Sequence, residues 1–300
     1  MTTSATRGTR SGRRPTMTRF LDVLVHIETN LDDELSLDAL AARAEMSPFH
    51  FQRTFREEIG ETPRAHVERV RLERAALQLV LREASILDLA LEHGFRSHEV
   101  FTRAFRRRFG TSPTQWRVEW PARRAASTRA PGLEQEIAAS VLSSTKVHDL
   151  RAARVAFIRH IGPYEDVDMS AWRTLSSWAA RRGIGGGALL GVAHDAPNLV
   201  APSRLRFDAC IVVPDDAPAP RSGSRIALAS LTEGPHAVTT FVGPLAQLGD
   251  AYRTIMTRLL ARKDVRVIGL PAIERYVTTE LIEGAIQKIE IALPVERRVR

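Results

Sequence analysis

The sequence predicts two domains of different class, an all-α half followed by an α+β half, each built by internal duplication. Three observations predict this. Residues 18–120 carry apolar positions at helical spacing and few glycines, whereas from about residue 144 short β-branched runs (VAFI, ACIVV, AVTTFV, IEIAL) alternate with helical stretches and Gly/Pro turns. In the first half SLDALA (36–41) returns as SILDLA (85–90), and Ser47, Phe51, Arg53, Phe55, Gly60 and Pro63 return fifty residues later as Ser97, Phe101, Arg103, Phe105, Gly110 and Pro113. In the second half HIGPYEDVDMSAWRTL (160–175) is echoed by FVGPLAQLGDAYRTI (241–255), and each copy leads to a strand ending in proline, ACIVVP (209–214) and EIALP (290–294).

Boundaries follow from composition. Residues 1–16 are rich in Ser, Thr and Arg without apolar period and are expected to be a disordered tail. Met17 opens the helical domain, 17–120; residues 121–143 read as a linker, and 144–298 as the second domain. A chain of 300 residues is long enough for a core in each half. The net charge of +8 points to an anionic partner, and 40 of the 43 basic residues are arginine, whose planar fork suits phosphates and guanine edges. No apolar run is long enough to span a membrane and no secretory signal opens the chain, so a cytoplasmic protein without membrane contact is expected. The single cysteine, Cys210, rules out an internal disulfide and a cysteine cage for metal; it reads as a small core residue. The nine histidines show no HExxH or paired-ligand spacing, and no Ser-His-Asp or Cys-His arrangement is apparent. Gly185–Gly187 follows a helix instead of a strand and reads as a turn. No catalytic residue, metal ligand or cofactor is therefore expected.

The helical half divides into two units. Ser36 caps a short helix running to about Ala44, Glu45 and Met46 make the turn, and Ser47 with Pro48 opens a second helix to about Glu58. Phe51 and Phe55, four residues apart, share one face; Phe49, Gln52, Arg53 and Arg56 lie opposite. An apolar face that anchors and a polar face that is free is what a recognition helix needs to enter the major groove. The second unit repeats this with Ser85–Asp88 as a capping pair, Gly94 at the turn, Ser97 as cap, Phe101 and Phe105 inside, and Glu99, Thr102, Arg103 and Arg106 outside. Arg106–Arg108 extend the basic character toward the phosphates. Thr62 caps a connecting helix from Pro63 to about Leu81, which sets the two recognition helices for successive grooves roughly 34 Å apart.

These residues resemble the AraC/XylS DNA-binding domain over 18–120, through LSLDALAARAEMSPFHFQRTFREEIGETP and ILDLALEHGFRSHEVFTRAFRRRFGTSP. The resemblance implies base contacts from Phe49, Gln52 and Arg53, and from His98, Glu99, Val100, Thr102 and Arg103. It implies a transcription regulator whose partners are double-stranded DNA and RNA polymerase.

Residues 144–298 resemble the GyrI-like ligand-binding domain through RVAFIRHIGPYEDV, WRTLSSWAARRGI, GVAHDAPN, LRFDACIVVP, and AIERY followed by KIEIALPV. The family fold is two β-α-β-β repeats flanking a groove. The resemblance implies that the groove takes a small apolar cation with Glu274 as counter-charge. Tyr276, two residues along the strand, faces the same side, and Tyr164, Trp172 and Tyr252 are candidate walls that suit a lipophilic cation. Leu245 stands where the first repeat has Tyr164. Alternatively Glu274 pairs with an arginine such as Arg206 or Arg275, or the domain serves as a protein-contact module or a hydrolase of small electrophiles.

Overall fold

Serine and threonine caps set the helix boundaries in the N-terminal half. The computed structural model describes residues 20–127, 141–221, 224–269, 271–277 and 286–298, without the side chains of 121–127. The expected tail at 1–16 and residues 128–140 of the expected linker lie outside the described residues. The helices are α1 (Leu21–Thr29), α2 (Leu37–Arg43), α3 (Pro48–Ile59), α4 (Pro63–Leu81), α5 (Ile86–Glu92), α6 (His98–Phe109) and α7 (Pro113–Ser127). Ser36, Thr62, Ser85 and Ser97 accept hydrogen bonds from the backbone N–H of Ala39, Ala65, Asp88 and Val100, at 3.2, 3.2, 2.9 and 3.4 Å. Ser47 has the extended backbone of a cap but makes no side-chain bond; Pro48 opens its helix. The turn between α2 and α3 is made by Glu45 at φ 54°, and the matching turn between α5 and α6 by Gly94 at φ 70°. Glycine at 94 also leaves room for Arg71: a Cβ there would lie 2.5 Å from the Arg71 guanidinium carbon. Arg71 donates to the carbonyls of Gly94, Leu31 and Asp33, tying the two units together.

Each unit has its own aromatic core. Phe51 and Phe55 pack on Phe20, with ring centroids 5.6 and 5.3 Å away, and on Leu40. Phe101 and Phe105 pack among Leu72, Leu89, Phe95 and Trp116. Helix α7 continues past residue 120 to Ser127, into the segment expected as linker. The stretch ARRAA is rich in strong helix formers, and the helix is held from below by Trp116 Nε1 on the Ala76 carbonyl (3.1 Å) and by Arg117 on the carbonyls of Leu79 and Ala84 (2.9 and 2.7 Å).

The C-terminal half contains β1 (Val141–Leu142), β2 (Lys146–Leu150), β3 (Ala153–Ile161), α8 (Ser170–Ala180), β4 (Leu189–Ala193), β5 (Arg206–Val212), β6 (Ala227–Leu231), β7 (Gly234–Pro244), α9 (Leu248–Leu260), β8 (Val265–Val267), β9 (Ala272–Tyr276) and β10 (Ile286–Arg297). The pairings are antiparallel, in the order β1-β7-β10-β9-β4-β5-β3-β6, with β2 beside β7 and β8 beside β10. The two β-α-β-β repeats are β3-α8-β4-β5 and β7-α9-β9-β10. In each, the last strand lies between the first and the middle one. The repeats join at β4 and β9, where Gly191 stands opposite Glu274. Helices α8 and α9 cover one face of the sheet with Trp172, Leu175, Trp178, Ile255 and Leu259.

The N-terminal helical half covers the other face. Leu21 of α1 packs on Val155, Phe157, Leu190, Val192 and Cys210. Two turns further along α1, the buried Glu28 meets the sheet's charges: its carboxylate lies 2.8 Å from both Arg159 and Arg206. Arg159 turns its remaining edge to Asp208 (2.7 and 2.8 Å), Asp208 also contacts His194 (2.7 Å), and Arg206 is bound bidentately by Asp195 (2.9 and 2.5 Å). Burial alone would raise the Glu28 carboxyl, but Arg159 and then Arg206 outweigh it and hold it well below the usual carboxylate range. A second seam joins Leu199, Val200 and Leu205 to the core of the second helix-turn-helix unit, and Arg204 to Glu61 at 2.9 Å.

Removing one member of such a cluster strands the others as buried charges. Arg159→Ala is expected to cost about 3–5 kcal/mol in urea unfolding. Asp208 is opposed by burial, but Arg159 and His194 bring it down to about 2 from 3.8. A depressed carboxyl stabilises above its unfolded value and loses that contribution as pH falls through the folded one. The wild-type chain should therefore lose stability between about pH 4 and pH 2, and Arg159→Ala should lose it at higher pH. Coincident acid transitions for the two chains, followed by circular dichroism, would contradict this.

Candidate nucleic-acid interface and effector site

Burying one face of α3 and one face of α6 leaves their opposite faces open. Phe49 is 80% exposed despite being aromatic. Gln52, Arg53 and Arg56 on α3 are exposed, as are His98, Glu99, Val100, Arg103 and Arg106 on α6. Thr102 differs: it is half-buried, and its hydroxyl is enclosed without a hydrogen-bond partner among the described residues. Arg53 has only a loose contact with Glu57, 3.9 Å away on the same helix face, which leaves it free to reorient. Glu99 stays anionic, held below the usual carboxylate range first by the Ser97 hydroxyl and then by its own backbone N–H.

The basic run expected to reach the phosphates divides. Arg106 is exposed, but Arg107 binds Glu68 at 2.6 Å and Arg108 binds Glu73 at 2.8 Å. Both acids belong to α4, over which α6 packs, so these arginines tie helices together. Sequence spacing could not reveal partners 39 and 35 residues away.

On the helix side of the sheet, Glu274, Tyr276, Trp172 and Tyr252 come together. Glu274 is only 3% exposed. The Tyr252 hydroxyl donates to one carboxylate oxygen (2.8 Å) and the Tyr276 hydroxyl to the other (2.7 Å). Burial pushes the Glu274 carboxyl above the usual range, and the hydroxyls of Tyr276 and Tyr252 offset this in part. Burial and the Glu274 charge push both tyrosines up, so they remain donors. The expectation that Arg206 or Arg275 neutralises Glu274 is not met. Arg206 is bound by Asp195 and Glu28, and Arg275 is exposed and paired with Glu290 at 2.9 Å. Successive side chains on a strand point to opposite faces, which puts Arg275 on the wrong side.

Trp172 meets Tyr276 edge-on at 5.2 Å and donates its indole N–H to the Leu190 carbonyl (2.9 Å). Tyr164 stands further out. Its hydroxyl donates to the Asp195 carbonyl (2.9 Å), and its ring packs on Phe207 at 5.9 Å. Tyr164 opens a short 3₁₀ turn, Tyr164–Asp166, and Leu245 opens the matching turn of the second repeat, Leu245–Gln247.

Two kinds of residue escaped the sequence reading. Gly191 is the register partner of Glu274; a Cβ there would lie 2.4 Å from the Phe207 ring and 3.2 Å from the Glu274 carboxylate. Only hydrogen fits. The charges of the domain seam, Glu28, Arg159, Asp195, Arg206 and Asp208, were also missed. A faint sign was there, in Arg206 and Asp208 alternating along an otherwise apolar strand. Among the described residues no group of three or more His, Cys, Asp or Glu side chains could hold a metal, and no helix is long and apolar enough to cross a membrane.

Comparison with known proteins bears on both halves. Residues 40–119 match the family described as a helix-turn-helix domain. Residues 144–296, about half of the chain, match the GyrI-like small molecule binding domain. The right origin-binding protein of Escherichia coli (strain K12) is 41% identical over 103 residues, covering 34% of this chain and 36% of that one. The transcriptional regulator Rob of Salmonella typhimurium gives the same identity and coverage. The transposon Tn10 TetD protein of Escherichia coli is 40% identical over 96 residues, which is 32% of this chain and 70% of that one. The matched segment spans only about a third of the length of the first two relatives (36%). The chain thus belongs to the GyrI-like small-molecule-binding family, with a helix-turn-helix domain of the AraC/XylS type placed ahead of the GyrI-like one.

Proposed function

We propose that this chain is a sequence-specific, double-stranded-DNA-binding transcription regulator whose C-terminal domain takes a small apolar, cationic effector. The observation that carries the first part is the paired design of α3 and α6: two phenylalanines sunk in a core, and Gln, His and Arg side chains exposed opposite them. The relatives named as an origin-binding protein and a transcriptional regulator support it. The second part is supported by Glu274, a buried carboxylate that has two hydroxyl donors and no cation among the described residues. An arriving cation would offset the cost of its burial, and the rings of Trp172, Tyr276 and Tyr252 offer cation–π faces.

The site has a direct route to the DNA-reading half. Strand β4 is hydrogen-bonded beside Glu274, and its Leu190 carbonyl holds Trp172. The side chains of Leu190 and Val192 on that strand form the opposite face, on which α1 rests. A ligand that moves Trp172 or Tyr276 therefore acts one strand's thickness from α1. It regulates only if it favours one docking arrangement over another.

Arg53→Ala and Arg103→Ala are each expected to cost roughly 1–3 kcal/mol in specific DNA affinity and to relax preference at one base. Affinity should fall steeply with salt as counterions are released. Arg108→Ala should instead lower thermal stability, because it leaves Glu73 short of a partner. Electrophoretic mobility shifts with a selected operator measure the first two; unchanged specificity in both arginine variants would sink the assignment of the recognition helices.

Tetraphenylphosphonium should bind the chain more tightly as the pH rises from about 4 to about 8, because Glu274 ionises above the usual carboxylate range. Glu274→Gln should fold and lose both the affinity and its pH dependence. Calorimetry that finds equal affinity in wild type and Glu274→Gln would make the carboxylate structural.

A further inference from the structure

A cleft of about 220 Å³ opens between helix α4 of the DNA-reading half and the GyrI-like domain. It shares none of Glu274, Tyr276, Trp172 or Tyr252. Its wall contains three cations, Arg74, Arg82 and Arg206, and three acids, Glu73, Glu92 and Asp195. The acids are all satisfied. Glu92 is bound by Arg82 at 2.5 Å, Asp195 by Arg206 at 2.5 Å, and Glu73 by Arg69 and Arg108, each at 2.8 Å. Arg74 is different: among the described residues it makes no hydrogen bond and no ion pair. Burial, followed by the nearby Arg206, makes its charged form less favourable than in water, and the carboxylates of Glu28, Asp195 and Asp32, none of which bonds it, offset this only in part.

A second donor on the wall is also unfilled: Arg82 Nε is enclosed and has no hydrogen-bond acceptor among the described residues, whereas Arg206 Nη1 is taken by Glu28 at 2.8 Å. The remaining surface is partly apolar, from Leu77, Leu199, Val200 and Ile268. Unfilled guanidinium donors beside hydrocarbon call for a planar anion on an apolar body. An arginine fork matches a carboxylate with two parallel hydrogen bonds.

We propose that this inter-domain cleft is a second ligand site, for a small apolar carboxylate, with Arg74 as its principal anchor. The carboxylate supplies the directly bonded counter-charge that Arg74 lacks among the described residues. Its hydrocarbon part lies against Leu77 of α4 on one side and Leu199 and Val200 of the GyrI-like domain on the other. Because Arg74 sits on the helix connecting the two DNA-reading units, while Arg206 sits on strand β5 and Asp195 in the bend that follows β4, the ligand bridges the domains. It tightens whichever docking it prefers, and that docking tightens the ligand in return.

The test is calorimetry on the full chain with cyclohexanecarboxylate, its neutral amide and inorganic phosphate as probes. Cyclohexanecarboxylate should bind saturably, and better than either of the others. Arg74→Gln should weaken it by at least about tenfold, equivalent to about 1.4 kcal/mol, while Glu274→Gln leaves it unchanged. Leu77→Trp, which fills the cleft while sparing the charge, should also abolish binding and keeps the test open if Arg74→Gln does not fold. No saturable carboxylate binding, equal binding of the amide, preference for phosphate, or undiminished affinity in Arg74→Gln or Leu77→Trp would each overturn the proposal.

Discussion

The carboxylate of Glu28 is the point at which the two halves become one structure. It is carried on the short helix α1, yet its two partners, Arg159 and Arg206, stand on neighbouring strands of the other domain. Neither arginine could stay buried alone, and neither could the acids behind them, Asp208 and Asp195. The cluster is stable only when complete, so it demands one docking geometry and penalises others. The apolar contact of Leu21 with the sheet provides burial; the charges provide register.

That docking gives the sheet two different faces. One, covered by α8 and α9, is aromatic and contains Glu274. The other, covered by α1, is apolar at Leu190 and Val192 and ionic at Arg159 and Asp208. Strand alternation is enough to keep these chemistries apart. The strand that lies between the Glu274 cluster and α1 is β4, which pairs with β9 where the repeats meet. Duplication makes that junction symmetric in backbone, and Gly191 breaks the symmetry in side chain. Where one repeat places a carboxylate, the other leaves room for Phe207 to close in, so the junction holds one charge and not two repelling ones.

The helix-turn-helix half shows how duplication is used differently. Both units keep the same inner phenylalanines and the same outward arginine, yet their turns are made by Glu45 in one and Gly94 in the other. Beside Gly94 the Arg71 guanidinium occupies the space a side chain would take, so a larger residue there would displace the arginine that clips both units.

Much of this was legible in the sequence, since it rests on local rules. Cap residues, 3.6-residue periodicity and the fifty-residue repeat located α2 to α6, and the polar faces of α3 and α6 followed from the placement of Phe51, Phe55, Phe101 and Phe105. The strand motif IERY was enough to put Glu274 and Tyr276 on one face. What tertiary structure alone decided concerns charges. The sequence contains 40 arginines against 35 acids, and nothing local says that Arg206 goes to Asp195 and Glu28 instead of Glu274, that Arg107 and Arg108 bind α4, or that Arg74 is left without a bonded partner among the described residues. Periodicity fixes the direction in which a side chain leaves its own element. The identity of its partner depends on which element is packed opposite, and for ion pairs as far apart in sequence as Glu28 and Arg206, only the assembled chain supplies that.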